Sequence, residues 1–182
     1  MQYLGGKSRT RNQIQLLAQP QLFQVALDKK DIVFTPEWVA SDMVNFFKPS
    51  GRILEPCKGD GIFLKHLPIQ TEWCEIQDGK DFFAWTEPID WIMGNPPYSA
   101  FGKWIYHAMD IAQNIAYLAP IAKPFYSEKL FNKMIEWGRI KHIRGYGSGN
   151  KLDFPIGFMI GAIYFQKDYH GPMYTSLYSE DS

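Results

Sequence analysis

Asp90-Trp91-Ile92-Met93-Gly94-Asn95-Pro96-Pro97-Tyr98 is the stretch on which the fold turns. Its first half reads as a buried strand, a short continuous run of large apolar residues. Its second half must leave the sheet, because two consecutive prolines neither donate to a ladder nor enter a helix interior. They also hold Asn95 and Pro96 extended. The result is a stiff turn at the carboxyl end of a strand, where α/β sheets place their ligands. Such a turn offers a side-chain carbonyl from Asn95, the backbone carbonyl of Pro96 and the aromatic face of Tyr98. Two acceptors beside an aromatic slab suit a planar group bearing an exocyclic amine.

Working outward, strand and helix patterns alternate. Upstream, Arg52-Ile53-Leu54 reads as a strand that ends in Glu55-Pro56-Cys57-Lys58-Gly59-Asp60-Gly61, with a helix over 62–67 closed by Pro68. Trp73-Cys74-Glu75-Ile76 reads as the next strand. Thr35-Pro36-Glu37 marks a helix start, with Thr35 as cap and Pro36 in the first turn. Downstream, helices are expected over 101–112 and 125–137 and a buried strand over 115–119. Two late strands, 140–146 and 158–165, flank a glycine-rich loop and lack an intervening helix, so they pair as an antiparallel hairpin. The alternation predicts an α/β chain with a doubly wound, mostly parallel sheet. The organisation read from the sequence is a polar helical extension over 1–33, a catalytic domain over 34–167 and a tail over 168–182.

Composition narrows the function. The chain has 182 residues, 46% hydrophobic and 16% aromatic, which is enough for a single core without staples. Lys+Arg and Asp+Glu both number 19, so the formal charge is zero. Nucleic-acid contact would therefore come from a local basic face rather than a polybasic chain. Arg139, Lys141, Arg144 and Lys151 cluster in sequence around Gly145-Tyr146-Gly147-Ser148-Gly149 and are the candidates for phosphate contact. Only Cys57 and Cys74 are present, and no Cys/His group has zinc spacing, so no metal is expected. His66, His107, His142 and His170 are scattered and read as structural. The apolar run over 154–165 falls short of the roughly 20 residues of a membrane helix. The start, Met1-Gln-Tyr-Leu-Gly-Gly-Lys-Ser-Arg, lacks the apolar core of a signal peptide. A reduced, cytoplasmic protein is the expectation.

Gly59 and Gly61 allow a tight turn and close backbone approach to a ligand, in a Gly-x-Gly spacing that is not the full dinucleotide fingerprint. Glu75 follows Glu55 at the distance where nucleoside-binding sheets hold a ribose diol. Together these pieces resemble the class I S-adenosylmethionine-dependent methyltransferases that act on exocyclic amines, above all the adenine-N6 DNA methyltransferases. Asn95-Pro96-Pro97-Tyr98 resembles their catalytic motif. Leu54-Glu55-Pro56-Cys57-Lys58-Gly59-Asp60-Gly61-Ile62-Phe63-Leu64 resembles their cofactor motif, and Phe34-Thr35-Pro36-Glu37 the segment that closes over the cofactor's methionine end. Lys80-Asp81-Phe82-Phe83 resembles the motif whose Asp meets the cofactor adenine and whose next residue stacks on it, and 154–167 the late hairpin beside the target-base pocket. The motif order is that of the gamma arrangement.

The resemblance implies a seven-stranded sheet and S-adenosylmethionine as cofactor, held by Thr35, Pro36, Glu55, Pro56, Cys57, Gly59, Gly61, Glu75, Ile76, Asp81, Phe82 and Asn95. Catalysis falls to Asn95, Pro96, Pro97 and Tyr98, with Tyr98 stacked on a flipped-out base. Leu4-Gly5-Gly6-Lys7-Ser8 resembles the cofactor cap of the GATC-type adenine methylases, but it lies far from the cofactor motif, so Thr35 and Pro36 take that role. After Tyr98 about enough chain remains to finish the sheet, so no target-recognition domain is expected. DNA, or RNA, is the implied partner. A recognition subunit or a second copy of the chain, and RNA adenine, cytosine-N4 or protein glutamine as acceptor, remain open.

Overall fold

A computed structural model of the chain describes residues 33–179; the helical reading of the first residues and the Gly5-Gly6-Lys7 segment lie outside them. Helix α1 spans Glu37–Phe47. Strands β1 (Ile53–Glu55), β2 (Glu72–Trp73) and β3 (Ile89–Gly94) follow, then α2 (Phe101–Ile111), β4 (Ala112–Pro120) and α3 (Glu128–Trp137). Strands β5 (Gly138–Ser148), β6 (Met159–Lys167) and β7 (Tyr174–Leu177) complete the sheet. Its order is β2-β1-β3-β4-β6-β5-β7. β1 pairs in parallel with β2 and β3, and β3 with β4; β6 runs antiparallel to both β4 and β5. The late hairpin is therefore present, and the whole is a seven-stranded mixed α/β sheet.

Both faces of the sheet's centre are covered, which is why β1, β3, β4 and β6 carry apolar runs rather than a strict alternation with polar residues. Ile92, Ile115, Tyr117, Ile163 and Phe165 pack under α2 and α3, against Trp104, Ile105, Leu130 and Met134. Trp91, Met93, Ala116, Leu118 and Tyr164 point the other way, toward Val39, Ala40 and Met43 of α1. One residue of register separates the two sets, so each strand is fixed in place by its period-2 pattern.

The structure departs from the sequence reading at four places. The 62–67 segment forms irregular turns rather than a helix: between Gly61 and Pro68 only three turn-closing bonds form, Lys65 N–H to the Gly61 carbonyl at 3.3 Å, and His66 N–H at 3.0 Å and Leu67 N–H at 2.9 Å to the Phe63 carbonyl. So short a segment cannot repay helix nucleation, and burial of Phe63 and Leu67 fixes it instead. The second strand is only Glu72–Trp73, because the Cys74 N–H donates to the Glu55 carbonyl and the chain turns away at Glu75. Pro36, not Thr35, is the cap position of α1, and no side chain caps that end. Finally, the segment after Lys167, assigned no element from the sequence, supplies β7, which pairs in parallel with β5 at the sheet edge.

β1 has β2 on one side and β3 on the other, so the chain changes direction across the sheet between β1 and β3. Crevices outside the carboxyl ends of strands at such a switch point are where ligands bind. Glu55 ends β1 there, and Asn95 follows β3.

Candidate active site

The rim of this crevice is built from two close-packed turns. After β1 the chain bends through Gly59 (φ 53°) and Gly61 (φ 81°), left-handed positions that a residue with a Cβ enters only at a cost. A Cβ placed on Gly94 at the end of β3 would lie 3.0 Å from Cδ of Pro56. Gly94 therefore lets β3 approach the glycine turn. Glu75 ties the second strand to the first turn: one carboxylate oxygen accepts from the Gly59 N–H at 2.9 Å and the other from the Gln77 N–H at 3.2 Å.

Two clefts open along this rim. One, of about 560 Å³, is lined by Pro56, Cys57, Glu75, Ile76, Lys80, Asp81, Phe82, Phe83, Pro97 and Trp104. The other, of about 640 Å³, is lined among others by Phe34, Thr35, Glu55, Gly59, Asp60, Phe63, Glu75 and Asn95. Cys57, Glu75 and Pro97 border both. The clefts thus form one elongated groove with an aromatic end, a carboxylate in the middle and an acidic end beside Asn95. Asp81 caps the turn over Phe82–Ala84 by accepting from the Phe83 N–H at 2.9 Å. Phe82 is buried and one face stacks on Trp104, ring centroids 4.9 Å apart and 12° from parallel. Phe34, Asp60, Phe63 and Lys80 line the groove although the sequence motifs that contain them gave them no role, and Trp104 lines it without standing in any motif. No local motif distinguishes a helical Trp that faces a groove from one that faces the core.

Glu55 is 1% exposed, and its Oε2 is buried without a hydrogen-bond partner. Burial first, then repulsion from Asp60 and Glu75 against attraction from Lys58, pushes its carboxyl up to about 9. It is therefore a neutral acid at neutral pH. Cys57 is half-buried, and its surroundings, chiefly loss of solvent and then the nearby Glu55 and Glu75 carboxyls, hold the thiol well above its usual range. A thiol so raised is a packing group, not a nucleophile.

Asn95 is held through its amide by two hydrogen bonds. Its Nδ2 lies 3.1 Å from the Val33 carbonyl and 3.1 Å from Oγ1 of Thr35. A backbone carbonyl only accepts, so the atom facing it is the amide nitrogen. That leaves Oδ1, which is buried and has no partner. Tyr98 behaves differently from expectation. Its ring sits in the core, 8% exposed and packed with Leu54, Phe101 and Tyr117, rather than as an open platform. Burial raises its hydroxyl above the ordinary range, with Asn95 partly opposing. The open ring at this end of the groove is Phe34, 63% exposed.

The four basic residues are not brought together. Arg139 stands level with Gln166, Asn114 and Trp91 across the sheet. That is four positions short of Asn95, roughly 13 Å along the strand direction. Lys141 lies close to the same far end, over the rings of Tyr164 and Tyr169. Arg144 is buried and bidentate to Asp42, at 2.6 and 2.8 Å, with Tyr146 donating to the same carboxylate at 2.7 Å. Its guanidinium is engaged in anchoring α1 to β5 and is not open to phosphate. Of the four, Lys151 is the one that lies exposed on the carboxyl side of the sheet, in the segment before β6. Among the described residues no group of three or more His, Cys, Asp or Glu side chains is placed to hold a metal ion, and no helix is long and apolar enough to cross a membrane.

With this geometry in hand, comparison with solved structures gives consistent results. The chain superposes on the methyltransferase subunit of a type I restriction-modification system from Streptococcus thermophilus with a TM-score of 0.63, at 16% identity, over 83% of this chain and 48% of that one. A Listeria monocytogenes protein assigned to the class I S-adenosylmethionine-dependent methyltransferases gives 0.59 at 15% identity, over 85% and 68%. The chain has the class I methyltransferase fold. The M protein of the type I restriction enzyme EcoKI gives 0.57 at 13% identity, over 78% and 45%. At these identities the likeness is one of fold, and the chain spans about half the length of the restriction-modification subunits it matches. No protein-family model and no curated protein matches the chain.

Proposed function

We propose that the chain is an S-adenosylmethionine-dependent methyltransferase acting on the exocyclic amine of adenine in DNA. The observation that carries this reading is the partnerless, buried Oδ1 of Asn95 at a proline-stiffened strand end, beside an elongated groove. The groove's residues fit the cofactor. Glu55, a buried carboxyl with an orphaned oxygen, suits an ammonium group, whose positive charge would favour loss of the Glu55 proton to solvent and pair with the carboxylate. Glu75, between the two clefts, suits a hydroxyl pair, and Ile76, Asp81 and Phe82 suit an aminopurine. Bound there, S-adenosylmethionine supplies an electrophilic methyl group.

The chain's own work is on the acceptor. An aromatic amine is a poor nucleophile because its lone pair is delocalised into the ring. Asn95 Oδ1 and the Pro96 carbonyl accept the two amine hydrogens, favour a pyramidal nitrogen and stabilise the positive charge that develops on it. Pro97 stiffens the turn that holds them. A base within a duplex does not reach such a site and must be flipped out, most cheaply from single-stranded or mismatched DNA. Stacking on Tyr98 requires its ring to leave the core. Transfer of a labelled methyl group, measured in parallel on duplex DNA, single-stranded DNA, RNA and protein, tests the reading; label on any acceptor but DNA adenine refutes it. The similarity to restriction-modification subunits supports a second reading, in which another protein supplies target recognition. Activity that appears only when a second protein is added would select it.

A further inference from the structure

We infer that Thr35 is a positioning residue for Asn95, acting through its hydroxyl oxygen rather than chiefly as a cofactor ligand. The inference rests on the amine-methylating role proposed above for Asn95. The two ends of an asparagine amide are nearly identical in shape, so packing cannot decide which end faces the groove; only hydrogen-bond partners can. Two acceptors on one short segment take both amide hydrogens: the Val33 carbonyl and Thr35 Oγ1, each 3.1 Å from Nδ2. With both engaged, Oδ1 is the atom left for an incoming amine. Reversed, the amide would present a donor to a donor, and the acceptor pair with Pro96 would be lost.

Three further features single out Thr35. It is 7% exposed, so its contact with Asn95 is shielded from water. It precedes a helix yet does no capping, since α1 has no side-chain cap. The helix that follows is itself held to the sheet by the buried Asp42–Arg144 pair and by Tyr146, which keeps Thr35 on a rigid support. A hydroxyl at this place is explained by Asn95 and by nothing else in the helix start.

The test compares Thr35→Val, which keeps the shape and removes the acceptor, with Thr35→Ser, which keeps the acceptor. Three quantities are read: single-turnover methyl transfer to a single-stranded oligodeoxynucleotide containing adenine, S-adenosylmethionine affinity by calorimetry, and solvent exchange of the isotope-labelled Asn95 side-chain amide by NMR. Thr35→Val should slow transfer roughly 30-fold, leave cofactor affinity within about threefold, and speed amide exchange at least about tenfold. Thr35→Ser should recover most of the rate and protection. Full activity in the Val variant, loss of cofactor affinity equal to the loss of rate, or a Ser variant as slow as Val would each overturn the inference. If the wild type methylates no acceptor at all, the functional reading fails by itself. The exchange measurement then decides the positioning role: unchanged exchange in Thr35→Val overturns it, and faster exchange upholds it.

Discussion

Replacing Glu55 by Gln should make the chain more stable at neutral pH, and the size of the gain follows from the burial of the carboxyl. In the folded chain Glu55 is protonated up to about pH 9, whereas its ordinary value is 4.5. Below about pH 4.5 both folded and unfolded chains carry the proton, and the group has no bearing on stability. As pH rises through 4.5 the unfolded chain gains by ionising and the folded chain does not, so stability falls until about pH 9. Near pH 7 the gap is about 2.5 pH units, which at about 1.4 kcal/mol per unit amounts to roughly 3 kcal/mol. Gln fills the same space and never ionises. Denaturant titration of both proteins between about pH 4 and 8 should show equal stability at the acid end and a widening advantage for Glu55→Gln toward the basic end, equivalent to roughly 5–10 °C in Tm at neutrality. Cofactor binding should move the opposite way. Pairing with an ammonium requires Glu55 to ionise, so binding near pH 7 should release a proton, visible as a buffer-dependent heat, and Glu55→Gln should abolish that release while weakening affinity. Parallel stability curves for the two proteins across this range would show that Glu55 is ionised in the folded chain, and the reasoning would fail.

Other outcomes follow from the same geometry. Asn95→Ala should nearly abolish transfer while leaving cofactor affinity by calorimetry within a few fold, because in the proposed function Asn95 binds the acceptor amine rather than the cofactor. Glu75→Ala should weaken S-adenosylmethionine binding by about 1–3 kcal/mol in the same assay, through loss of its acceptor oxygens. Tyr98→Ala should destabilise the chain by about 3 kcal/mol in denaturant titration before any effect on target binding is read, since the ring is core. Arg144→Met leaves Asp42 with only the Tyr146 hydroxyl as partner and no countercharge, and should cost about 3 kcal/mol of stability while leaving the salt dependence of DNA binding unchanged. Lys151→Ala should leave stability alone and reduce the slope of log K against log salt by about one.

The frame of the fold was legible because both faces of the sheet are covered, so strands such as β3 and β4 are continuous apolar runs closed by prolines. Such runs have few alternatives in a chain of this size. The glycine turn after β1 and the proline turn after β3 were legible for a related reason: only a backbone with special conformational needs calls for those residues. What sequence spacing does not reveal is burial and pairing at a distance. Arg139, Lys141, Arg144 and Lys151 are neighbours along the chain, yet the antiparallel hairpin spreads them along a strand, and Asp42, 102 positions from Arg144, claims the guanidinium. Tyr98 looks like a platform when only its own motif is considered; it is core because Leu54, Phe101 and Tyr117 close around it. Thr35 has the sequence pattern of a helix cap, but the cap geometry falls to Pro36, and the hydroxyl is free to turn toward Asn95 from 60 positions away. In each case the residue type announced a chemical capacity, and a partner remote in sequence decided how it was used. The sequence names Glu55 and Asn95, but only the fold shows that neither Oε2 of the one nor Oδ1 of the other has been given a partner within the chain. A buried acceptor left open costs stability unless something arrives to fill it, and the two open acceptors lie at one end of the same groove.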